Sequence, residues 1–420
     1  MSACSGRKLR RAVLSGTVVA IVAISCGLAQ AEPAPPFSKL LRQSKGAPRL
    51  AESAADVARA EGQAEQARAR PNPTVGVVTE NFAGSSPYRG FGRAETTVQY
   101  SQPIELGGKR SARMAAGQAG IAASQARDLD ARIAFAYDLA RAYAGVEIAD
   151  ERIAIAQTEV QEATADLHAA TALVQAGKEA RLRSLQAEAA VGALDAELGA
   201  AKANRMAAYA RLSAMVGATS PFTSVSESLL DRAGATPVAS DPAKNSAYLL
   251  ALAEREAAAR RIEVEQRRAT PDITASVGVR RLEQEGSTAF LGGVSVPLLI
   301  FDRNRGNIAV SRADLQAADA RLAMARYEAD AGLRDALAQV EANDTRVTAA
   351  LASQATAKEA YRLAEIAYRA GKSSILELIS VRKGLGDARR VVLAARATRL
   401  DAHALLARLQ GRTILGDPIQ

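Results

Sequence analysis

The sequence predicts an α+β membrane protein that consists mostly of long coiled-coil helical hairpins and carries four β-strands per chain. Three observations predict this fold class: an internal duplication, apolar residues at heptad spacing, and short segments in which apolar and polar residues alternate. The composition agrees, because the 420-residue chain is only 4% aromatic, has no tryptophan and is rich in alanine and leucine.

The first 31 residues predict a cleaved secretory signal peptide. A basic segment at 7–11 precedes a long apolar run, and Ala29-Gln30-Ala31 matches the small-residue cleavage site that follows such a run. Cys26 weakly resembles a lipoprotein processing site, so lipidation there is an alternative. Cleavage after Ala31 would leave a mature chain without cysteine, since Cys4 and Cys26 are the chain's two cysteines.

The mature chain matches itself in two halves. QAGKEARLRSLQAE at 175–188 aligns with RAGKSSILELISVR at 369–382, and 211–217 aligns with 405–411, both at an offset of 194 residues. The chain is therefore predicted to contain two repeats. Their boundaries are 32–217 for the first repeat, 218–245 for an equatorial linker, 246–411 for the second repeat and 412–420 for a C-terminal tail.

Each repeat is predicted to begin with a short helix, at 50–70 and 248–268, followed by two strands. In the second repeat Ile273, Ala275, Val277 and Val279 alternate with polar or small residues, which is a strand pattern. The strand regions are about 73–104 and 271–298. The strand-to-helix junctions that follow contain Pro103, Gly107, Gly108, Lys109 and Arg110 in the first repeat, and Pro297, Asp302, Arg303, Asn304, Arg305 and Gly306 in the second.

A very long helix follows the strands in each repeat. Apolar residues step by seven from Leu139 to Val174, and no proline lies between Pro103 and Pro221. The second long helix, 306–370, would be roughly 97 Å long at 1.5 Å per residue. Each run is interrupted once, at the tips 175–180 and 369–375, where the chain should turn back as a helical hairpin. The short and returning helices, stacked end to end, would match the long one.

The strands favour a membrane location. Aromatic residues gather at or beside them, and alternation with aromatic girdles is typical of outer-membrane barrels, although a small soluble sheet is the alternative. Four strands cannot close a barrel, since the smallest have about eight, and an open edge in lipid leaves unpaired backbone groups. Strands in the membrane therefore predict that chains share one barrel, and three chains would supply twelve strands.

The duplicated unit, the junctions QPIELGGKR and PLLIFDRNRG, and the paired Gly-Lys turns resemble the TolC-type outer-membrane efflux channels, over about residues 37–412. The junctions are most similar to the CzcC-like heavy-metal efflux branch. The resemblance implies a homotrimer with a shared 12-stranded barrel in outer-membrane lipid and an α-helical periplasmic tunnel. It also implies two protein partners, a periplasmic membrane-fusion adaptor and an inner-membrane resistance-nodulation-division transporter, in the Gram-negative envelope.

The function implied is a passive conduit for export of heavy-metal cations. Drug efflux or type I protein secretion is an alternative cargo for the same architecture. A soluble periplasmic coiled-coil adaptor or scaffold is the alternative of a different class. Pairs of hairpins, alternating strands and the duplication argue against that second alternative.

Gly371-Lys372-Ser373 matches the end of a phosphate-binding loop, G-x-x-x-x-G-K-[ST]. However, Ile366 replaces the first glycine, and a long helix rather than a strand precedes the turn. A glycine after a helix supplies a left-handed cap, and a lysine there favours the helix dipole. Both turns lie at the rod end far from the strands, so Gly177, Lys178, Gly371, Lys372 and Ser373 are predicted adaptor-docking tips.

The resemblance also implies that acidic residues after the second turn narrow the tunnel. The corresponding positions are Glu377 and Ser380, and only Glu377 keeps a carboxylate. A ring of Glu377 side chains is therefore a candidate gate. A solvated glutamate on the helix surface is the alternative role.

Catalytic chemistry has no support in the sequence. The histidines His168 and His403 are isolated, and neither is part of a metal-ligand motif. No catalytic residue, cofactor or strong metal site is expected. Four of the charges behind the net +9 lie within the first eleven residues, and no basic block with interleaved aromatics exists, so nucleic-acid binding is not expected either.

Overall fold

The computed structural model describes residues 33–232 and 241–419. The predicted signal peptide 1–31 with Cys26, and residues 233–240 of the predicted linker, lie outside the described residues. The elements in the described ranges are α1 Phe37–Gln43, α2 Pro48–Arg68, β1 Thr74–Glu80, β2 Glu95–Ile104, α3 Lys109–Gln175, α4 Arg181–Val216, α5 Ser246–Arg268, β3 Ile273–Leu282, β4 Ser287–Ser295, α6 Arg305–Arg369 and α7 Ile375–Leu409.

The four strands form one antiparallel sheet in the order β1-β2-β3-β4, which leaves β1 and β4 as its edges. Val98 lies opposite Val77 on one side and Val279 on the other, so apolar residues share one face. Strand β4 ends at Ser295, three residues before the end of the predicted strand region at about 271–298. Pro297 has no N–H to donate to a ladder, and pairing stops just before it.

The helices lie side by side as four columns. Helices α2 and α4 both pack along α3, and α5 and α7 both lie between α3 and α6. Asn245 joins α5 to α7 in the column that these two helices share. Its side-chain oxygen accepts the Ala247 N–H at 3.0 Å, and its amide donates to the Leu409 carbonyl at 3.2 Å. The cap of α5 is therefore fastened to the end of α7, and short helices stacked end to end match the long ones as the sequence predicts.

The largest apolar core lies about halfway along the long helices. It joins α1, the middle of α3, the end of α4, the segment 222–230 and α7 through Phe37, Leu139, Tyr143, Leu212, Leu230 and Leu400. Elsewhere the helices meet through small residues, as where Ala350 and Ala395 pack with Val347 and Val392. Alanine at these positions allows close helix approach, which explains the composition. Within the described residues, no helix is both long enough and apolar enough to cross a membrane.

A buried carboxylate holds the segment 228–230 on this core. Glu147 of α3 accepts hydrogen bonds from the Ser228 hydroxyl at 2.7 Å, the Leu229 N–H at 2.8 Å and the Leu230 N–H at 3.2 Å. The residue is 7% exposed. Burial raises the pKa of the Glu147 carboxyl, although the three donors favour its charged form.

This raised pKa makes a pH-dependent contribution to stability. The folded protein holds the Glu147 proton more tightly than the unfolded chain does, so this contribution falls as pH rises from the ordinary value of 4.5 through the raised pKa. Thermal unfolding of detergent-solubilised wild type and Glu147→Gln should therefore diverge across that window, with the wild type losing stability relative to the variant. A difference that stays constant with pH would contradict this expectation.

Candidate channel surface

The sheet has one apolar and one polar face. The apolar face is exposed in the single chain, with Phe290 87% and Val294 72% exposed. Its other members are Val75, Val77, Val98, Tyr100, Val277 and Val279. The next residues along each strand point to the opposite face, which carries Glu95, Thr97, Gln99, Ser276 and Arg280. A soluble sheet would cover its apolar face, whereas a lipid-facing sheet leaves it bare.

The polar face carries a charged cluster. Arg280 donates from Nη1 to Glu95 at 3.0 Å and from Nε to the Thr97 hydroxyl at 3.0 Å, and Nη2 lies 3.5 Å from Glu80. The cluster spans β1, β2 and β3. Charges are costly in hydrocarbon but are tolerated where a barrel lumen is wet. This cluster therefore indicates that the polar face lines the lumen.

The first strand-to-helix junction is a tight turn. Gly107 and Gly108 have φ of +67° and +75°, and a Cβ on Gly107 would lie 2.8 Å from the Thr270 side chain. Lys109 pairs with Asp272 at 2.8 Å, and Arg110 Nε donates to the Arg68 carbonyl at 2.7 Å. Pro103 precedes this turn and is the second-last residue of β2. The junction thus ties the end of β2 to the start of β3 and the end of α2.

The second junction uses side chains where the first uses glycine. Asn304 has φ +58°, and its N–H donates to Asp302 at 2.8 Å. Its amide donates to the backbone carbonyl of Glu265, on α5, at 2.8 Å. Arg303 Nε donates to the Leu299 carbonyl at 3.3 Å. Pro297 precedes this loop, and Arg305 and Gly306 begin α6.

The two tips have the same backbone geometry. After α3, the Lys178 N–H donates to Leu173 at 2.9 Å and the Gly177 N–H donates to Val174 at 3.0 Å. After α6, Lys372 and Gly371 donate to Ala367 and Tyr368, both at 2.9 Å. Both glycines are left-handed, with φ of +70° and +69°. These are Schellman caps, which satisfy the last carbonyls of a helix, and both lysines are exposed.

The tips differ in the turn that follows. The Ser374 hydroxyl accepts the Glu377 N–H at 3.3 Å, and the Ser373 hydroxyl donates to the Glu377 carboxylate at 2.7 Å. Glu377 and Ser380 are both exposed on the start of α7. The first repeat has Arg183 at the position equivalent to Glu377, 3.9 Å from Glu179. Only the second tip therefore presents a carboxylate at the candidate gate position.

Sequence reasoning missed the ion pairs between α3 and α7. Arg382 and Asp166 lie 2.6 Å apart with side chains 13% and 14% exposed, and Arg382 also donates to the Glu162 carbonyl at 2.8 Å. Arg389 lies 3.9 Å from Glu162. Arg390 pairs with Glu159. Alternating charge on facing helices was the available signal, but the partners are more than 200 residues apart in sequence.

The isolated histidines form no shared site. His403 is 8% exposed, with Nε2 3.4 Å from Asp344, whereas His168 is exposed on α3. Among residues 33–232 and 241–419, no group of three or more His, Cys, Asp or Glu side chains could hold a metal ion.

The sequence profile of the outer membrane efflux protein family matches residues 42–218 and 243–412. The chain belongs to this family. It is 39% identical over 414 residues to the nickel-cobalt-cadmium resistance protein NccC of Alcaligenes xylosoxydans xylosoxydans, covering 98% of this chain and 94% of NccC. It is 30% identical over 372 residues to the cobalt-zinc-cadmium resistance protein CzcC of Cupriavidus metallidurans, covering 86% of each.

The fold of this outer membrane efflux protein matches solved channels. The CmeC outer membrane channel of Campylobacter jejuni superposes with a TM-score of 0.78 at 15% identity, covering 91% of this chain and 87% of that one. At this identity the likeness establishes the fold. The predicted α+β channel fold, family and outer-membrane location are thus confirmed. The alternatives of a soluble sheet and a soluble periplasmic adaptor are wrong, and the family is a transport family.

Proposed function

We propose that this protein is the outer-membrane channel subunit of a tripartite resistance-nodulation-division efflux system that exports heavy-metal cations. The two-faced sheet carries the proposal, because its bare apolar face suits lipid and its polar face suits an aqueous lumen. Similarity to nickel, cobalt, cadmium and zinc resistance proteins supports a metal cargo. The channel is passive, so the energy for export comes from the inner-membrane transporter.

The working unit is a homotrimer. Strands β1 and β4 leave both sheet edges unpaired in the single chain, and the columns α2–α4 and α6 lie at the two sides of the helical layer. Open strand edges are not stable in lipid. Three copies pair every edge in a 12-stranded barrel and surround the lumen with twelve helical columns. The repeats 32–217 and 246–411 each contribute one hairpin of strands and one long hairpin of helices.

The cargo is tested by growth of a deletion strain on salts of Co, Zn, Cd, Ni, Cu and Ag beside a panel of drugs. Metal export predicts lower tolerance to several of the metals and unchanged tolerance to the drugs. The opposite pattern would replace metal cargo with drug efflux. Loss of a secreted protein, with both tolerances unchanged, would indicate type I secretion.

The tips are proposed to dock on the periplasmic membrane-fusion adaptor. Lys178 and Lys372 are exposed at the end of the rod opposite the sheet, and a trimer would present six of these lysines. The double variant Lys178→Glu, Lys372→Glu should weaken adaptor binding roughly tenfold, about 1.4 kcal/mol. The matched control is Lys358→Glu, which reverses the charge of an exposed lysine on α6 away from the tips. Equal crosslinking to the adaptor in the wild type, the double variant and the control would mean that the tip lysines do not contribute to docking.

The candidate gate is tested by single-channel conductance. Three Glu377 carboxylates around the tunnel end would form a charged constriction, so Glu377→Ala should change both the conductance and the preference for cations. Ser380→Ala, one turn further along α7, tests the other position that corresponds to a gate residue. Because Ser373 donates to Glu377, Ser373→Ala separates loss of this hydrogen bond from loss of the carboxylate. Wild-type conductance in Glu377→Ala would leave Glu377 as a solvated surface residue.

A further inference from the structure

The polar face of the sheet is charged at one end only. Every second residue of a strand points to this face, and the register aligns these residues in five rows across the strands. The two rows furthest from the helices contain Glu80, Glu95 and Arg280, which we call the exit cluster. The other three rows carry no charged side chain, and their members are Gly76, Gln99, Gly278 and Leu291, then Thr74, Ser101, Ser276 and Gly293, then Pro103, Thr274 and Ser295.

The exit cluster lies just beyond the apolar band of the opposite face. One row of outward-facing residues lies between its two rows, and all members of that row are polar: Thr79, Thr96, Arg281 and Thr288. The apolar band begins one row nearer the helices, with Val98 and Phe290. In a membrane barrel the exit cluster would therefore surround the extracellular end of the lumen, at the level of the lipid headgroups.

The exit cluster contains one carboxylate more than it can neutralise. Arg280 donates from Nη1 to Glu95 at 3.0 Å and from Nε to the Thr97 hydroxyl at 3.0 Å, whereas its Nη2 lies 3.5 Å from Glu80. The Glu80 side chain is 51% exposed and that of Glu95 is 27% exposed. Arg280 is thus held against the wall by β2 and neutralises Glu95, and Glu80 is the charge in excess.

We propose that Glu80 makes the extracellular exit of the lumen select cations over anions. The inference rests on the proposed trimeric channel and deepens it, because three copies would place one unneutralised carboxylate each around the exit. Rings of carboxylates attract cations and repel anions in a pore. The exit would thus favour a cationic cargo at the end of the pore opposite the tips.

The reversal potential of single channels tests the role of Glu80. In a KCl gradient with about 0.1 M on the concentrated side, Glu80→Gln should shift the reversal potential of the trimer in planar bilayers towards the chloride equilibrium potential. The shift should vanish in a gradient with about 1 M on the concentrated side, because the screening length falls from about 10 Å to about 3 Å.

Glu283→Gln is the matched control for this substitution. Glu283 directly follows β3 and has the same parity as Arg281, which lies on the outward face and pairs with it at 3.6 Å. The control removes the same charge at the same end of the sheet, but outside the lumen. Its reversal potential should equal that of the wild type.

Arg280 should have the opposite effect. Arg280→Gln would leave both Glu80 and Glu95 without a cation, so the reversal potential should shift towards the potassium equilibrium potential. The adjacent Arg281→Gln, on the outward face, should leave it unchanged. A shift of the same sign in Arg280→Gln and Glu80→Gln would contradict a selection by charge.

Charged thiol reagents test the position in one and the same variant. Cys4 and Cys26 precede Ala31, so a chain cleaved there has no other cysteine. Treating Glu80→Cys with the anionic sulfonatoethyl methanethiosulfonate should restore the wild-type cation preference. The cationic trimethylammonium analogue should shift the reversal potential further towards the chloride value. Glu283→Cys, treated in the same way, should respond to neither reagent.

The outcomes separate this inference from the proposed function. Wild-type selectivity of Glu80→Gln at low salt would overturn the inference and leave the channel standing. Equal shifts in Glu80→Gln and Glu283→Gln would also overturn it, since the effect would then not depend on the lumen. Wild-type trimers that form no ion-conducting pore would overturn the proposed channel itself.

Discussion

Val98→Arg is expected to destabilise the membrane-inserted protein by about 2–4 kcal/mol for each copy, and the adjacent Gln99→Arg is expected to be tolerated. Both residues lie in the middle of β2, a central strand, and their side chains point to opposite faces of the sheet. Val98 belongs to the exposed apolar face, next to Val77 and Val279. Arginine there would place a charge in hydrocarbon, whereas arginine at residue 99 would enter the lumen.

The two variants introduce the same residue, arginine, at adjacent positions, so the size and charge of the introduced side chain are the same in both. The readouts are the amount of trimer in the outer-membrane fraction and the urea midpoint after reconstitution into lipid vesicles. Val98→Arg should greatly reduce the amount of trimer in the outer-membrane fraction. Equal tolerance of both variants would mean that the apolar face does not contact lipid, and the membrane assignment of the sheet would fail.

Arg382→Ala has the second largest expected effect, a loss of about 3 kcal/mol in the free energy of unfolding. The substitution leaves Asp166 without its cation and the Glu162 backbone carbonyl without its donor, and the Asp166 side chain is only 14% exposed. Removing one partner of a buried ion pair costs roughly 3–5 kcal/mol, and the residual exposure of this pair favours the lower end. Helix α7 would then pack less firmly on α3 in the half of the rod that ends at the tips.

Arg141→Ala is the matched control for this expectation. Arg141 of α3 pairs with Asp401 of α7 at 2.9 Å, but both side chains are about half exposed, so the contribution of this pair is expected to stay below about 1 kcal/mol. Denaturant unfolding followed by circular dichroism compares the two variants with wild type. Similar losses in both variants would show that burial does not set the strength of these pairs.

The helical part of the fold follows directly from local sequence. Heptad spacing and the absence of proline predict a second long helix over 306–370, and the structure places it at Arg305–Arg369. The tips are predictable too, because each has a glycine that takes the left-handed cap conformation. Such features depend on residues within a few turns of each other, so no long-range information is needed.

The features that the sequence does not predict depend on distant partners. Helix α1 and the segment 222–230 have no clear periodicity, yet they contribute Phe37 and Leu230 to the largest core. Glu147 reads as an ordinary helix-surface residue, and its donors lie about 80 residues away. Two repeats can be recognised by comparison with each other, but the contact of one repeat with the next is visible only in the folded chain.

Release of metal from preloaded cells tests the central claim most directly. Cells lacking this gene, loaded with Co²⁺ or Ni²⁺ and diluted into metal-free medium, should release the metal more slowly than wild-type cells. The wild-type gene and Gln99→Arg should restore the rate, and Val98→Arg should not. Equal release rates with and without the gene, at normal levels of the adaptor and transporter, would contradict the account of this protein as a metal efflux channel.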